Sequence, residues 1–381
     1  MALGAHRAAA DDRRRRRDRR GDRVGRGGAL SAVPPHSLAA PDRSSYPRRG
    51  TQQAEWRAED GMAERVGFIG LGIMGGGMAR NVAESGVQLT VFDANDAAAD
   101  SLVAFGATKA ATPREAAERS EVVVTVLPAT PHVEQVYLGA DGIVHGLKPG
   151  AITIDCSTIS PVTARRVAAA VAARGGSHLD AGMTACNQPP RRTEPTGPGI
   201  SKIVGQAQAG TMKLVIGGER ETFDRAMPVL NAMSQEQLYC GPSGSGITVK
   251  VANNMLIAAL ETLYFEVFVW AQKNGVPPDT LLDAFKNGAS NSNVLRGDIE
   301  QFALKRRFEP GIFPIDYVHK DLVEAQHAAE ATQTPLLMVG VAKQLYEMAR
   351  AQGLGGYYEP TVLKVIEQMA GCEELRLSDA G

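Results

Sequence analysis

Lys250 stands where an acid–base group is useful. It lies in the segment Gly244-Ser-Gly-Ile-Thr-Val-Lys250-Val-Ala-Asn253-Asn254, with Asn254 four residues beyond it. On a helix that spacing puts ammonium and amide on one face, one turn apart. The surrounding helix is apolar on most sides, so a lysine there is costly unless it faces a polar cleft. Desolvation lowers a lysine pKa and suits it to proton transfer near neutral pH. Asn254 can hold the amine in place and hydrogen-bond a substrate oxygen. The competing reading is a lysine snorkelling at a domain edge. A second lysine, Lys320, precedes Asp321 at an expected helix start; taken alone, it reads as a solvated face.

A ligand for such a cleft is written further upstream. Arg65-Val-Gly-Phe-Ile69 is a short, mostly apolar strand, Gly70-Leu71-Gly72-Ile73-Met74-Gly75 follows at once, and residues 76–85 read as a helix. This is GxGxxG in its required context of strand, tight turn and helix. Gly70 permits the turn, Gly72 leaves the backbone open to a pyrophosphate, and Gly75 lets helix and strand pack closely. The phosphates then meet the positive end of the helix dipole. The next strand, 88–92, ends at Asp93, which can accept hydrogen bonds from ribose hydroxyls and repels a 2′-phosphate. No arginine follows it, so NAD is expected rather than NADP. The alternative is a glycine-rich turn with a capping aspartate.

The elements that position these groups alternate. Strands at 122–126 and 152–154 are separated by helical stretches, and 161–173 is a helix with Pro161 near its first position. The pattern predicts an α/β fold, a doubly wound parallel sheet of Rossmann type. Ligands of such sheets lie beyond the carboxyl ends of the strands, where Leu127, Pro128, Ser157 and Thr158 fall. From Ser245 the pattern changes. A long helix over 245–274 carries Val249, Val251, Met255, Leu256, Leu260, Leu263, Phe265 and Phe268, which predicts burial between domains or subunits. Helices are expected at 278–287, 320–332, 336–351 and 360–370, with no strand among them. The second domain is therefore expected to be all-α.

Composition narrows the classes. The chain has 381 residues and a net charge of −1. Residues 1–61 hold 14 Arg and no Lys against 8 acidic residues, which leaves −7 for the rest. A mildly acidic body excludes a general nucleic-acid binder. Four scattered cysteines without a CxxC pair exclude a disulfide scaffold and suggest a reducing compartment. No apolar run approaches about 18 residues, so no membrane span is expected. The histidines show no ligand spacing, so no metal is expected. The leader 1–61 has few large apolar residues and is expected to be disordered. Its readings are an artefact ahead of a start at Met62, a targeting peptide, or a basic arm. The expected location is cytoplasmic, or mitochondrial if the leader is a targeting peptide.

The motifs together resemble the β-hydroxyacid dehydrogenase family (3-hydroxyisobutyrate dehydrogenase-like) over about residues 65–370. The resemblance rests on 67–75 with Met78, Ala79 and Asn81, on Leu127-Pro128, on Asp155-Cys-Ser-Thr-Ile159, on 244–254 and on Lys320-Asp321-Leu322. It implies that Lys250 is the catalytic lysine with Asn254 its partner. It also implies that Leu127, Pro128 and Thr158 lie near the nicotinamide, and that Lys320 reaches over the cofactor. Where the family has Asp-Ala-Pro-Val-Ser-Gly-Gly, this chain has Asp180-Ala-Gly-Met-Thr184-Ala185-Cys186. Thr184 and Ala185 are the implied substrate-binding positions. A proline-rich stretch, about 186–204, is inserted there. It reads either as a lid bringing Arg191 or Arg192 to an anionic substrate or as a surface loop.

The expected organisation is a leader at 1–61, an NAD domain at 62–242, a helical substrate and dimerisation domain at 243–372, and a tail at 373–381. The expected activity is hydride transfer between NAD and a small 3-hydroxy carboxylic acid, in a homodimer or homotetramer. One alternative is reduction of a short semialdehyde such as tartronate semialdehyde, or of glyoxylate. The other is a non-catalytic dinucleotide-binding scaffold.

Overall fold

Short apolar runs and the turns between them build the first half of the fold. In the computed structural model, residues 65–196, 201–310 and 313–378 are described. The leader 1–61 lies outside the described residues. The strand β1 (Arg65–Ile69) leads into α1 (Ile73–Glu84), then β2 (Gln88–Phe92), α2 (Asp96–Val103) and the short β3 (Thr108–Lys109). Next come α3 (Pro113–Glu118), β4 (Val122–Thr125), α4 (Thr130–Leu138), β5 (Ile152–Asp155) and α5 (Pro161–Ala172). Pro113 and Pro161 open their helices, where the missing N–H costs nothing, and the Thr112 and Ser160 hydroxyls cap them. The half closes with β6 (Ser177–Thr184), α6 (Lys202–Ala209), β7 (Lys213–Gly217), α7 (Arg220–Met233) and β8 (Glu236–Gly241).

The eight strands form one sheet in the order β3-β2-β1-β4-β5-β6-β7-β8. It is parallel from β3 to β6, as the alternation predicts, and then reverses: β7 runs antiparallel to β6, with Thr184 opposite Lys213. The reason is the connection. The chain leaves β6 at Thr184 and re-enters the sheet beside that same residue, so it must run back. The long β6 pairs with β5 through its first half and with β7 through its second, and Asp180 is the hinge between the two pairings. Phe68, Val91 and Val124 are buried on one face of the sheet, and Ile69, Val123 and Tyr137 belong to a second cluster.

The second half is helical, with no named strand among its described residues. It comprises α8 (Ser245–Lys273), α9 (Pro278–Lys286), a π turn (Leu295–Ile299), α10 (Ile315–Thr332), α11 (Leu337–Ala351) and α12 (Leu363–Ala370). Two starts differ from expectation. The helix α10 begins five residues before Lys320, so that lysine sits in the second turn. A 3₁₀ turn, Glu359–Val362, precedes α12. Phe265, Phe268, Leu295, Leu322 and Tyr346 form the core of this half.

The length and hydropathy of α8 also correct the sequence reading on membranes. The helix has 29 residues and a mean hydropathy of 1.3 over an 18-residue window, enough by length and composition to span one. Its inner faces are instead taken up by protein. Phe265 and Phe268 are fully buried, and 44% of that window is covered. The expected burial is nevertheless one-sided. Val249, Leu256, Leu263 and Trp270 remain exposed along the opposite face.

Candidate active site

The glycine turn has the geometry its spacing predicts. Gly70 has φ +90°, and a Cβ there would lie 2.2 Å from the Val126 carbonyl oxygen. A Cβ on Gly75 would lie 2.0 Å from the Gly70 oxygen. Both are backbone collisions, so neither position admits a side chain. Gly72 is different, because nothing lies within 4 Å of its Cβ position. It faces open space at the start of α1, which has no side-chain cap and no acidic residue in its first turn. Leu71 is buried, Ile73 is exposed, and the N–H groups of the first turn lack side-chain partners. That is the arrangement an anionic pyrophosphate requires. Asp93, at the end of β2, accepts from the Leu71 amide at 2.6 Å and from the Asn95 amide at 2.7 Å. Its carboxylate is thus fixed beside the turn, and among the described residues no lysine or arginine pairs with it. The capping role and the ribose-binding role are compatible, since each oxygen keeps a free lone pair.

The ends of β4 and β5 form the neighbouring wall. The Leu127 amide donates to the Ser157 hydroxyl at 2.9 Å. Lys320 crosses from α10 and donates to the carbonyls of Pro128 and Thr158, both at 3.0 Å. The structure therefore joins Leu127, Pro128, Thr158 and Lys320, which are far apart in sequence. Thr130 donates to Glu324 at 2.6 Å and adds a second tie between α10 and this wall.

Lys250 enters from α8. That helix is seated on the sheet by Asp180, whose two oxygens accept from the amides of Gly244 (2.6 Å) and Ile247 (2.8 Å). A carboxylate suits a helix N-terminus. Gly246 makes the seat tight: a Cβ there would lie 2.5 Å from the backbone carbonyl oxygen of Asp180. One turn on, Lys250 is only 8% exposed. Its aliphatic stem packs on Gly182, where an added Cβ would sit 2.5 Å from the Lys250 Cβ. Burial pushes the Lys250 pKa down. The nearby Lys320 charge adds to this, and Asp321 and Glu359 oppose it. Asn254 donates to Asp321 at 2.5 Å, which ties α8 to α10 beside the amine.

Sequence reasoning did not single out Gly182, Asp180 or Asp321 as parts of this site. Asp321 stood in a quoted motif, but no local spacing pairs it with Asn254, 67 residues away. Thr184 ends β6, and among the described residues its hydroxyl reaches only the Lys213 carbonyl, at 3.5 Å. Ala185 is exposed just beyond it. The inserted stretch departs from the lid reading. Arg191 donates to the carbonyls of Gly210, Asn231 and Ser234 at the foot of α7, and Arg192 reaches Asn81 on α1. Gln206 clamps Cys186 through both of its backbone groups at 2.8 Å. Residues 186–196 are a surface strap whose arginines are already engaged.

Comparison with known proteins identifies the family. Two family descriptions match end to end. The NAD binding domain of 6-phosphogluconate dehydrogenase matches residues 65–241, and the NAD-binding of NADP-dependent 3-hydroxyisobutyrate dehydrogenase matches residues 244–366. An NAD-dependent L-serine dehydrogenase from Pseudomonas aeruginosa is 33% identical over 81% of this chain and 99% of its own length. The chain belongs to the β-hydroxyacid dehydrogenase family. A 3-hydroxyisobutyrate dehydrogenase of the same organism is 35% identical over 74% of this chain and 91% of its own. Among solved structures, 3-hydroxyisobutyrate dehydrogenase of Mycobacterium tuberculosis with L-serine has a TM-score of 0.71 at 28% identity. It covers 80% of this chain and 99% of that one. As a β-hydroxyacid dehydrogenase, the protein is an oxidoreductase that uses NAD, and the open space at Gly72 and the fixed Asp93 fit that cofactor.

Proposed function

We propose that the protein oxidises a small 3-hydroxy carboxylic acid at the expense of NAD, with Lys250 as the acid–base group. The observation that carries this reading is a buried lysine without a hydrogen-bond partner among the described residues, within electrostatic reach of Lys320, which itself grips the carbonyls of Pro128 and Thr158. NAD bound along the glycine turn supplies the hydride acceptor. Lys250, neutral at the start, takes the proton of the substrate hydroxyl. Its lowered proton affinity keeps that neutral form accessible. Asn254, oriented by Asp321, holds the same hydroxyl oxygen. Lys320 closes the wall, which excludes water and leaves positive charge for a carboxylate. Thr184, two residues beyond Gly182 on the same face of β6, is the side chain placed to meet that carboxylate. The substrates in the relatives' names, L-serine and 3-hydroxyisobutyrate, both carry a CH₂OH group β to a carboxylate, which supports the substrate class.

The test is turnover on a panel of short 3-hydroxy acids, read as NADH absorbance. Lys250→Ala should lower kcat by about 10²–10⁴-fold while NAD affinity is retained. Retained kcat sinks the assignment.

A homo-oligomer belongs to the same proposal. Val249, Leu256, Leu263 and Trp270 recur every seven residues along the open face of α8. A stripe of that spacing stays on one side of a helix and fits a second copy. Leu256→Glu should shift the protein to monomer in light scattering. An unchanged mass contradicts this interface.

A further inference from the structure

Asp155, the last residue of β5, is only 2% exposed and has an unusual load on one oxygen. Its Oδ1 accepts from the Thr125 hydroxyl at 2.7 Å, the Ser157 hydroxyl at 2.6 Å and the Ser157 amide at 3.1 Å. Because the Ser157 proton is committed to Asp155, the lone pairs of that hydroxyl are left for the Leu127 amide, 2.9 Å away. Leu127 is no remote segment. The Val126 oxygen and a Leu127 methyl are among the atoms nearest to a Cβ built on Gly70. The next carbonyl, Pro128, is one of the two that Lys320 grips, and the other belongs to Thr158, beside Ser157. One carboxylate oxygen thus fixes the ends of two strands and, through them, the anchorage of Lys320.

We infer that Asp155 is a positioning residue for the nicotinamide end of the cleft, acting through Ser157 on the Leu127 amide. The inference rests on the dehydrogenase reading above and goes beyond it.

Among the described residues, the surroundings of Asp155 supply donors and no cation. The groups facing it are Thr125 on β4, Tyr137 on α4, Cys156 beside it and Asp180 on β6, with His178 of β6 packed edge-on against the Tyr137 ring. Burial holds His178 neutral, with its pKa pushed down to about 3, and raises those of Tyr137 and Cys156. Asp180 is a second carboxylate, and its charge opposes ionisation of Asp155. Burial raises the Asp155 pKa from 3.8 to about 6, against the pull of Ser157 and Thr125. An unpaired buried carboxylate is a poor choice for stability alone. It is a strong acceptor for orienting a serine.

The test is NAD binding by calorimetry on the full chain, as wild type, Asp155→Asn and Ser157→Ala. Asparagine keeps the shape and the acceptor oxygen and removes the charge. Both variants should weaken NAD by about fivefold to tenfold, the difference between a charged and a neutral acceptor. Asp155→Asn should keep or raise the melting temperature at neutral pH, which a merely structural residue would not do. Wild-type affinity should fall as pH drops from about 7.5 to about 5, and Asp155→Asn should be flat over that range. Native affinity in both variants, or a pH-independent wild type, overturns the inference. A lowered melting temperature for Asp155→Asn with native affinity in Ser157→Ala also overturns it. Binding is read without turnover. Failure to oxidise every hydroxy acid therefore sinks the functional proposal alone.

Discussion

Gly182→Ala is the sharpest perturbation of the proposed mechanism, because it acts on Lys250 without touching any group that does chemistry. The added methyl would lie 2.5 Å from the Lys250 Cβ, 3.1 Å from its Cγ and 3.2 Å from a Val215 methyl. Ordinary contact begins near 3.4 Å, so the first of these is short by about 0.9 Å. A flexible side-chain tip can swing away from such a clash. Cβ cannot, because it moves only with the backbone of α8, which Asp180 and Gly246 lock onto the sheet. The strain must therefore shift the first turns of α8 and carry the amine with them. A displacement of about 1 Å at a reacting group costs roughly 10²-fold in rate, or about 2.7 kcal/mol of transition-state stabilisation. Overpacking should also cost about 1–3 kcal/mol of stability. The assay is kcat/KM for the hydroxy acid beside calorimetric NAD affinity. The expected result is a large fall in the first and none in the second, since the glycine turn is remote from the clash. An alanine enzyme with kcat/KM close to wild type would refute the claim that Gly182 seats the lysine.

Three further outcomes follow from the geometry. Asp93→Ser keeps an acceptor for the Leu71 amide and removes the charge; NADP use relative to NAD should rise about tenfold, given repulsion of roughly 1–4 kcal/mol between charges at contact distance. An unchanged ratio of kcat/KM values would contradict the reading of Asp93. Arg191→Ala removes a donor from three carbonyls, of which, among the described residues, only that of Ser234 keeps a second side-chain donor, Gln237, and should lower stability in urea by about 1–3 kcal/mol with no change in KM. A raised KM at native stability would restore the lid. Asp155 makes stability depend on pH in the less common direction for a carboxylate. Its folded pKa, about 6, lies above the ordinary value of 3.8. Its favourable contribution is therefore complete below about pH 4 and is lost as pH rises to about 6. At about 1.4 kcal/mol per tenfold change in proton affinity, the loss is roughly 3 kcal/mol. The difference in unfolding free energy between wild type and Asp155→Asn should track that window. A constant difference across it would show that Asp155 does not titrate there.

What the sequence determined was local. GxGxxG after a strand dictates a turn that only glycine can make, because Gly70 and Gly75 meet backbone atoms that no substitution can move. The spacing of Lys250 and Asn254 puts them on one face of a helix whatever that helix packs against. Periodicity separated the alternating half from the helical half, and proline excluded regular structure from 187–196. The tertiary structure decided the rest, for reasons of distance along the chain. Asn254 meets Asp321 across 67 residues, and Lys320 reaches Pro128 across 192. No periodicity encodes such pairings. The reversal of β7 depends on where a connection re-enters the sheet, and the strap differs from a lid only in which carbonyls Arg191 finds. Gly182 carries no side chain to announce a role. Its importance exists only because α8 lies on β6 at that point, so a lysine stem fills the space a Cβ would need.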